Sequence, residues 1–103
     1  MKKTFPLQAP GKDDARVRDK IRHEVNKYVR RERNKPLPEG FTWWSFSCRV
    51  GPSGEQATAR SLDAVASAID TVAQEGATTV YIEIVVSPSQ RPPSRTSPRP
   101  SET

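Results

Sequence analysis

The stretch SLDAVASAIDTVAQEGATTVYIEIVV, residues 61–86, changes its hydrophobic period half-way along and thereby sets the fold class. Ser61 can cap a helix here, and Gly76 suits the left-handed position just after its end. Between them, apolar residues recur every three or four positions, as in an amphipathic helix: Leu62, Val65, Ala66, Ile69, Val72 and Ala73. The period then falls to two, with Val80, Ile82, Ile84 and Val86 on one side of a strand. A helix that leads directly into a strand indicates a mixed α and β fold.

A longer helix is predicted upstream, from Asp13 or Asp14, which can provide the N-cap, to Asn34, which can take a left-handed C′ position. Its apolar residues form one stripe: Val17, Ile21, Val25, Tyr28 and Val29. At about 33 Å for 22 residues, this helix would be longer than a typical strand of about 17 to 20 Å. We therefore expect its C-terminal end to overhang the sheet.

Three further segments have the character of strands. The first is KKTFPL, residues 2–7, in which Pro6 must lie near the strand end because it cannot donate to a ladder. The second is FTWWSFSCRV, residues 41–50, whose uniformly apolar side carries Trp44, Phe46, Cys48 and Val50. The third, QATAR at residues 56–60, follows the turn GPSGE and is a weaker candidate.

The resulting order is β-α-β-β-α-β, which predicts an α+β fold of the ferredoxin-like split type. This is a two-layer sandwich with an antiparallel four-stranded sheet and two helices on one face. If residues 56–60 are not a strand, the alternative is a three-stranded β-α-β-α-β layer. We expect one α+β domain over residues 1–87 and a disordered tail rich in Pro, Ser and Arg over residues 88–103.

Composition excludes several classes of protein. No segment approaches the roughly 18 apolar residues of a membrane span, and the start lacks the apolar core of a signal peptide, so we expect a cytoplasmic protein without membrane partners. Cys48 is the only cysteine, which excludes an intramolecular disulfide and a cysteine zinc set. No carboxylate pair, phosphate loop or nucleophile elbow is present, so we expect no enzyme, no small-molecule substrate and no cofactor.

The charge of +5 is unevenly distributed. Residues 1–40 contain 12 Lys or Arg against 6 Asp or Glu, whereas residues 41–86 contain 2 against 5. On a helical wheel, six cationic or potentially cationic groups of the long helix fall on one solvent-facing stripe: Arg16, Lys20, His23, Lys27, Arg30 and Arg31. With Arg33 they form the candidate polyanion site, because arginine suits bidentate phosphate contacts. The alternatives are a solvated helix face with no specific ligand, in which Glu24 pairs with Lys27, and an interface for an acidic protein.

The sheet face away from the helices is expected to be open and to carry Trp43, Arg49 and Tyr81 as secondary contacts. RNA-recognition domains of this topology stack bases on exposed aromatic residues, but residues 56–60 contain none. Packing or dimerisation is therefore the stronger expectation for this face. His23 has no second histidine or cysteine pair at ligand spacing, so no metal site is predicted.

The segments KKTFPL, HEVNKYVRRERNKPLPEG and WWSFSCRVG together resemble a family of small bacterial proteins described as a domain of unknown function. The resemblance covers roughly residues 1–87. It implies a bacterial cytoplasmic origin and places the basic helix end within the family's pattern, but it brings no activity, ligand or catalytic residue with it.

Two functional hypotheses follow. The first is a noncatalytic binding module that engages RNA or another polyanion through the basic helix face. The second is a protein-interaction or homodimeric module that uses the open sheet face.

Overall fold

Four strands and two helices follow one another in the predicted order in the structure, a computed structural model that describes residues 1–90. The elements are β1 (Lys2–Pro6), α1 (Asp14–Arg33), β2 (Trp43–Gly51), β3 (Thr58–Arg60), α2 (Val65–Gln74) and β4 (Thr79–Ser89). A single 3-10 turn, Leu62–Ala64, precedes α2, and Ser61 is the N-cap residue of this turn. The predicted α+β class is therefore confirmed.

The four strands form one antiparallel sheet in the order β1-β4-β2-β3. The ferredoxin-like order is not confirmed, because it has the first and third strands at the centre, whereas here they form the two edges. Each helix still links two parallel strands that flank a third: α1 crosses β4 to join β1 to β2, and α2 crosses β2 to join β3 to β4. Thr58–Arg60 pairs with β2, so the three-stranded alternative is wrong.

The core lies between the sheet and the two helices, on the face that the hydrophobic periods predict. Val80, Ile82 and Ile84 of β4 are fully buried, as is Ile69 of α2. The same cluster includes the apolar stripe of α1, with Ile21, Val25 and Val29, and inward-facing residues of the other strands, with Phe5, Cys48 and Val50. At roughly 1.5 to 3 kcal/mol for each large apolar side chain buried, this layer is the main favourable contribution to folding. Both helices consequently pack on one face, and no helix of residues 1–90 lies on the other.

The ends of several elements differ from the sequence-based expectations. Asn34 is the C-cap of α1 with φ −85°, so it does not adopt the left-handed conformation. Gly76 does adopt it, with φ +88°, just after α2. Strand β4 continues to Ser89, two residues past the domain boundary expected at residue 87, and residues 91–103 of the predicted tail lie outside the described residues.

Candidate nucleic-acid interface

The side of α1 that faces away from the sheet carries a stripe of cations. All six members are exposed to solvent: Arg16, Lys20, His23, Lys27, Arg30 and Arg31. Arg16 and Arg31 are 15 positions apart, so the stripe extends for about 22 Å along the helix axis at 1.5 Å per residue. We refer to these six residues as the basic stripe.

A second set of arginines lies on the flank of α1 that faces α2, and these are neutralised. Arg18 Nε donates to Asp70 Oδ1 at 3.1 Å, and Arg22 Nη1 donates to the same oxygen at 2.9 Å. Arg22 also pairs with Asp19 one helical turn away. These carboxylates raise the pKa of Arg22, with the hydrogen bond to Asp19 as the largest cause. This flank of the helix therefore serves to join the two helices.

Two acidic residues of α1, Glu24 and Glu32, have partners. Glu24 lies 3.6 Å from Lys3 of β1, so the predicted pair between Glu24 and Lys27 is not formed. Glu32 is buried, and its Oε2 atom lies 2.9 Å from Lys35 Nζ and 3.8 Å from Arg31 Nε. Within residues 1–90, the remaining stripe members have neither an ion pair nor a side-chain hydrogen bond: Arg16, Lys20, His23, Lys27 and Arg30. The stripe is a nearly uncompensated row of positive charge.

The C-terminal end of α1 does not overhang the sheet as expected. The Arg33 guanidinium lies 5.4 Å from the centre of the Phe46 ring, and Trp44 Nε1 donates to the backbone oxygen of Lys35 at 3.0 Å. The expectation was wrong because it assumed typical strand lengths, whereas β2 has 9 residues and β4 has 11. Arg33 thus covers an aromatic residue at the helix end and lies apart from the basic stripe.

Two of the three residues predicted on the open sheet face belong to one hydrogen-bonded network. Glu83 Oε1 accepts from Tyr81 Oη at 2.9 Å and from Arg49 Nη1 at 3.3 Å. Arg49 Nη2 also donates to the backbone oxygens of Gly54 at 3.3 Å and Ala57 at 3.0 Å. The hydrogen bond to Glu83 is the main cause that raises the pKa of Tyr81. Arg49 and Tyr81 thus hold the β2–β3 connection against the sheet.

The β2–β3 connection also covers part of the Tyr81 ring. A Cβ placed on Gly54 would be 3.8 Å from two ring carbons, in ordinary van der Waals contact. The importance of Glu83 as the shared acceptor was missed from the sequence. Its alternation with Tyr81 on one strand face indicated that the two residues are neighbours, but the opposing Arg49 depends on the β2–β4 register.

Trp43 lies at the other end of the open face. It pairs with Ser89, six residues along β2 from Arg49, a separation of about 20 Å at 3.4 Å per residue. Its Nε1 is buried and has no hydrogen-bond partner within residues 1–90. The structure therefore does not bring Trp43 together with Arg49 and Tyr81 in one contact surface.

Among residues 1–90, no three His, Cys, Asp or Glu side chains are close enough to hold a metal ion, and no helix is long and apolar enough to cross a membrane. Cys48 is buried in the core, and desolvation raises the pKa of its thiol, which makes it a poor nucleophile.

Comparison with known proteins identifies the family. The model of a family of unknown function, DUF6172, matches residues 1–95 and thus covers the whole described fold. The chain belongs to the DUF6172 family. No curated protein and no solved structure matches it. The basic stripe and the Tyr81–Glu83–Arg49 network both lie within the part of the chain that defines its DUF6172 membership.

Proposed function

We propose that this DUF6172 protein is a small noncatalytic module that binds RNA or another nucleic-acid polyanion along the basic stripe of α1. The main support for the proposal is that the cations on two sides of α1 differ in whether they have acidic partners. Arg18 and Arg22 on the flank toward α2 share the acceptor Asp70, whereas Lys27 and Arg30 on the outer side have no acidic partner among residues 1–90.

Like charges one turn apart on a helix destabilise it by a few tenths of a kcal/mol each. A face that only needed to be soluble could relieve this repulsion with interspersed acids, whereas Asp19 pairs with Arg22, Glu24 with Lys3 and Glu32 with Lys35. A polyanion would relieve it as well, because each phosphate that contacts a cation releases condensed counterions. The length of the stripe, about 22 Å, corresponds to about six nucleotides of one DNA strand at about 3.4 Å per nucleotide.

A binding assay with matched variants tests the proposal. We expect fluorescent RNA and DNA oligonucleotides to bind at about 50 mM salt and to bind far more weakly at about 200 mM. The variant Lys27→Gln/Arg30→Gln should bind less tightly than the wild type. Lys2→Gln/Arg60→Gln, which removes two exposed charges from the edge strands instead, is the matched control and should bind nearly as tightly. Failure to bind either nucleic acid at the lower salt concentration would contradict the proposal.

A homodimer through the open sheet face is the second candidate, and one exposed residue favours it. Val85 lies on the central strand β4, faces away from the core and is 45% exposed. Light scattering over a range of protein concentrations tests this candidate, together with Trp43→Ser and Val85→Ser. A monomer at every concentration, unaffected by either substitution, would argue strongly against it.

A further inference from the structure

A cleft of about 810 Å³ lies where the β1–α1 connection meets the first turns of α1. Phe5, Val17 and Ile21 contribute apolar side chains to its lining. Lys12, Arg16 and Lys20 contribute cations, all three of them exposed. The volume is within the range of about 300 to 1,000 Å³ that is typical of small-ligand sites. An apolar lining edged with cations suits an anion that carries a flat apolar group.

The charges around the cleft favour an anion. None of its three cations has an ion pair within residues 1–90. Two carboxylates also line it, and one of these, Glu24, is already paired with Lys3 at 3.6 Å. The other, Asp13, makes no side-chain capping bond to α1 and is exposed. A phosphate would meet a cationic edge, and Asp13 could accept a hydrogen bond from a nucleobase N–H.

Two residues belong to both the cleft and the basic stripe. Arg16 and Lys20 form the first part of the stripe and also one wall of the cleft. A polyanion that follows the stripe toward the N-terminus of α1 must therefore pass the mouth of the cleft. We propose that the cleft accepts an unpaired nucleobase, so that the ligand is single-stranded nucleic acid; this inference rests on the function proposed above.

The physical basis is the difference between stacked and unstacked bases. In a duplex the apolar faces of the bases are covered by their neighbours, and only phosphates, sugars and base edges can meet the protein. A single strand can turn a base outward and place its face against apolar or aromatic side chains. Here Pro6, Ala9 and Val17 would contact the base, while Lys12, Arg16 and Lys20 hold the adjoining phosphates. Phe5 and Ile21 also line the cleft but are only 4% and 3% exposed.

A variant that fills the cleft without changing charge separates this inference from the proposed function. Ala9 lines the cleft from the β1–α1 connection, and Ala9→Trp would occupy the space meant for a base. We expect Ala9→Trp to weaken binding of a single-stranded oligonucleotide at least about fivefold, since stacking of one base is worth that much or more. Binding of a duplex of the same sequence should change less than twofold. Single strands with ribose and with deoxyribose are compared to identify the preferred sugar.

Two controls accompany Ala9→Trp. Ala59→Trp adds the same bulk on an exposed edge-strand position and should leave both affinities unchanged. If Ala9→Trp fails to fold by circular dichroism, Lys12→Gln replaces it and should weaken single-strand binding selectively. Equal affinity for single strand and duplex, with no effect of either cleft variant, would overturn this inference and leave the proposed function intact. Absence of any nucleic-acid binding would overturn both.

Discussion

Arg22 donates a hydrogen bond from Nη1 to Asp70 Oδ1 at 2.9 Å, and Arg18 donates to the same oxygen from Nε at 3.1 Å. One carboxylate of α2 thus pairs with two arginines of α1 and joins the helices above the sheet. This contact separates the arginines with a structural role from those of the basic stripe.

Replacement of Asp70 by asparagine should lower the free energy of unfolding by about 1 kcal/mol, because two partly exposed guanidinium groups lose their shared charged acceptor. Urea denaturation measures the change. Glu55→Gln removes a negative charge from an exposed loop residue and should have almost no effect. Equal destabilisation by the two variants would show that Asp70 acts only through net charge.

Gly51 should not tolerate any side chain. A Cβ at this position would lie 2.6 Å from Ala57 Cα and 2.6 Å from the Gln56 carbonyl oxygen, so the β2–β3 connection would have to move. We expect Gly51→Ala to destabilise the protein by about 1 to 3 kcal/mol, as overpacking typically does.

Gly54→Ala is the matched control, because the added methyl group would only touch the Tyr81 ring at 3.8 Å. Thermal denaturation of the two variants measures the difference. A Gly51→Ala variant as stable as Gly54→Ala would contradict the close approach of the two backbone segments.

Tyr81 should titrate above the ordinary range for tyrosine, because its hydroxyl donates a hydrogen bond to Glu83 only while it is protonated. Since the folded-state pKa is raised above the unfolded value, the stabilisation is fully present below about pH 10 and is lost as the pH rises through the folded-state pKa. NMR titration of labelled tyrosine, assigned with Tyr81→Phe, measures this pKa. It should move back toward the ordinary value in Glu83→Gln, and an unchanged pKa in that variant would show that Glu83 is not the cause.

Much of the fold could be predicted from the sequence because it depends on local periodicity. The alternation of Val80, Ile82 and Ile84 identified a strand with one buried face, and all three residues are fully buried. The spacing of Ile21, Val25 and Val29 likewise identified the buried side of α1. Each pattern reports on the residues of a single element, which is why the element order was predicted correctly.

The strand order and the strand ends could not be predicted, because they depend on which elements meet. Phe5 would face the core whether β1 lay at the centre or at the edge of the sheet. The sequence around Phe5 therefore does not predict that β1 pairs with β4, where Phe5 lies opposite Val80. The composition rich in Pro, Ser and Arg led to a predicted tail that begins at Pro88. Pro88 is tolerated in β4 because β1 pairs only with Thr79–Glu83 and leaves one side of the later residues without a strand.

The candidate site was predictable in part for the same reason. A helical wheel places the basic stripe correctly, since it uses only the geometry of α1. The pairing of Glu24 with Lys3, which leaves Lys27 unpaired, requires β1 beside α1 and could not be read from the helix alone.

The slope of log affinity against log salt concentration tests the central claim most directly. It is measured for a single-stranded oligonucleotide with three proteins: the wild type, Lys27→Gln/Arg30→Gln and the control Lys2→Gln/Arg60→Gln. If the basic stripe binds phosphates, the stripe variant should lose about 1.4 from the magnitude of the slope, or about 0.7 for each contact removed, while the control keeps the wild-type slope. Equal slopes in all three proteins, or an equal loss in the stripe variant and the control, would contradict the account.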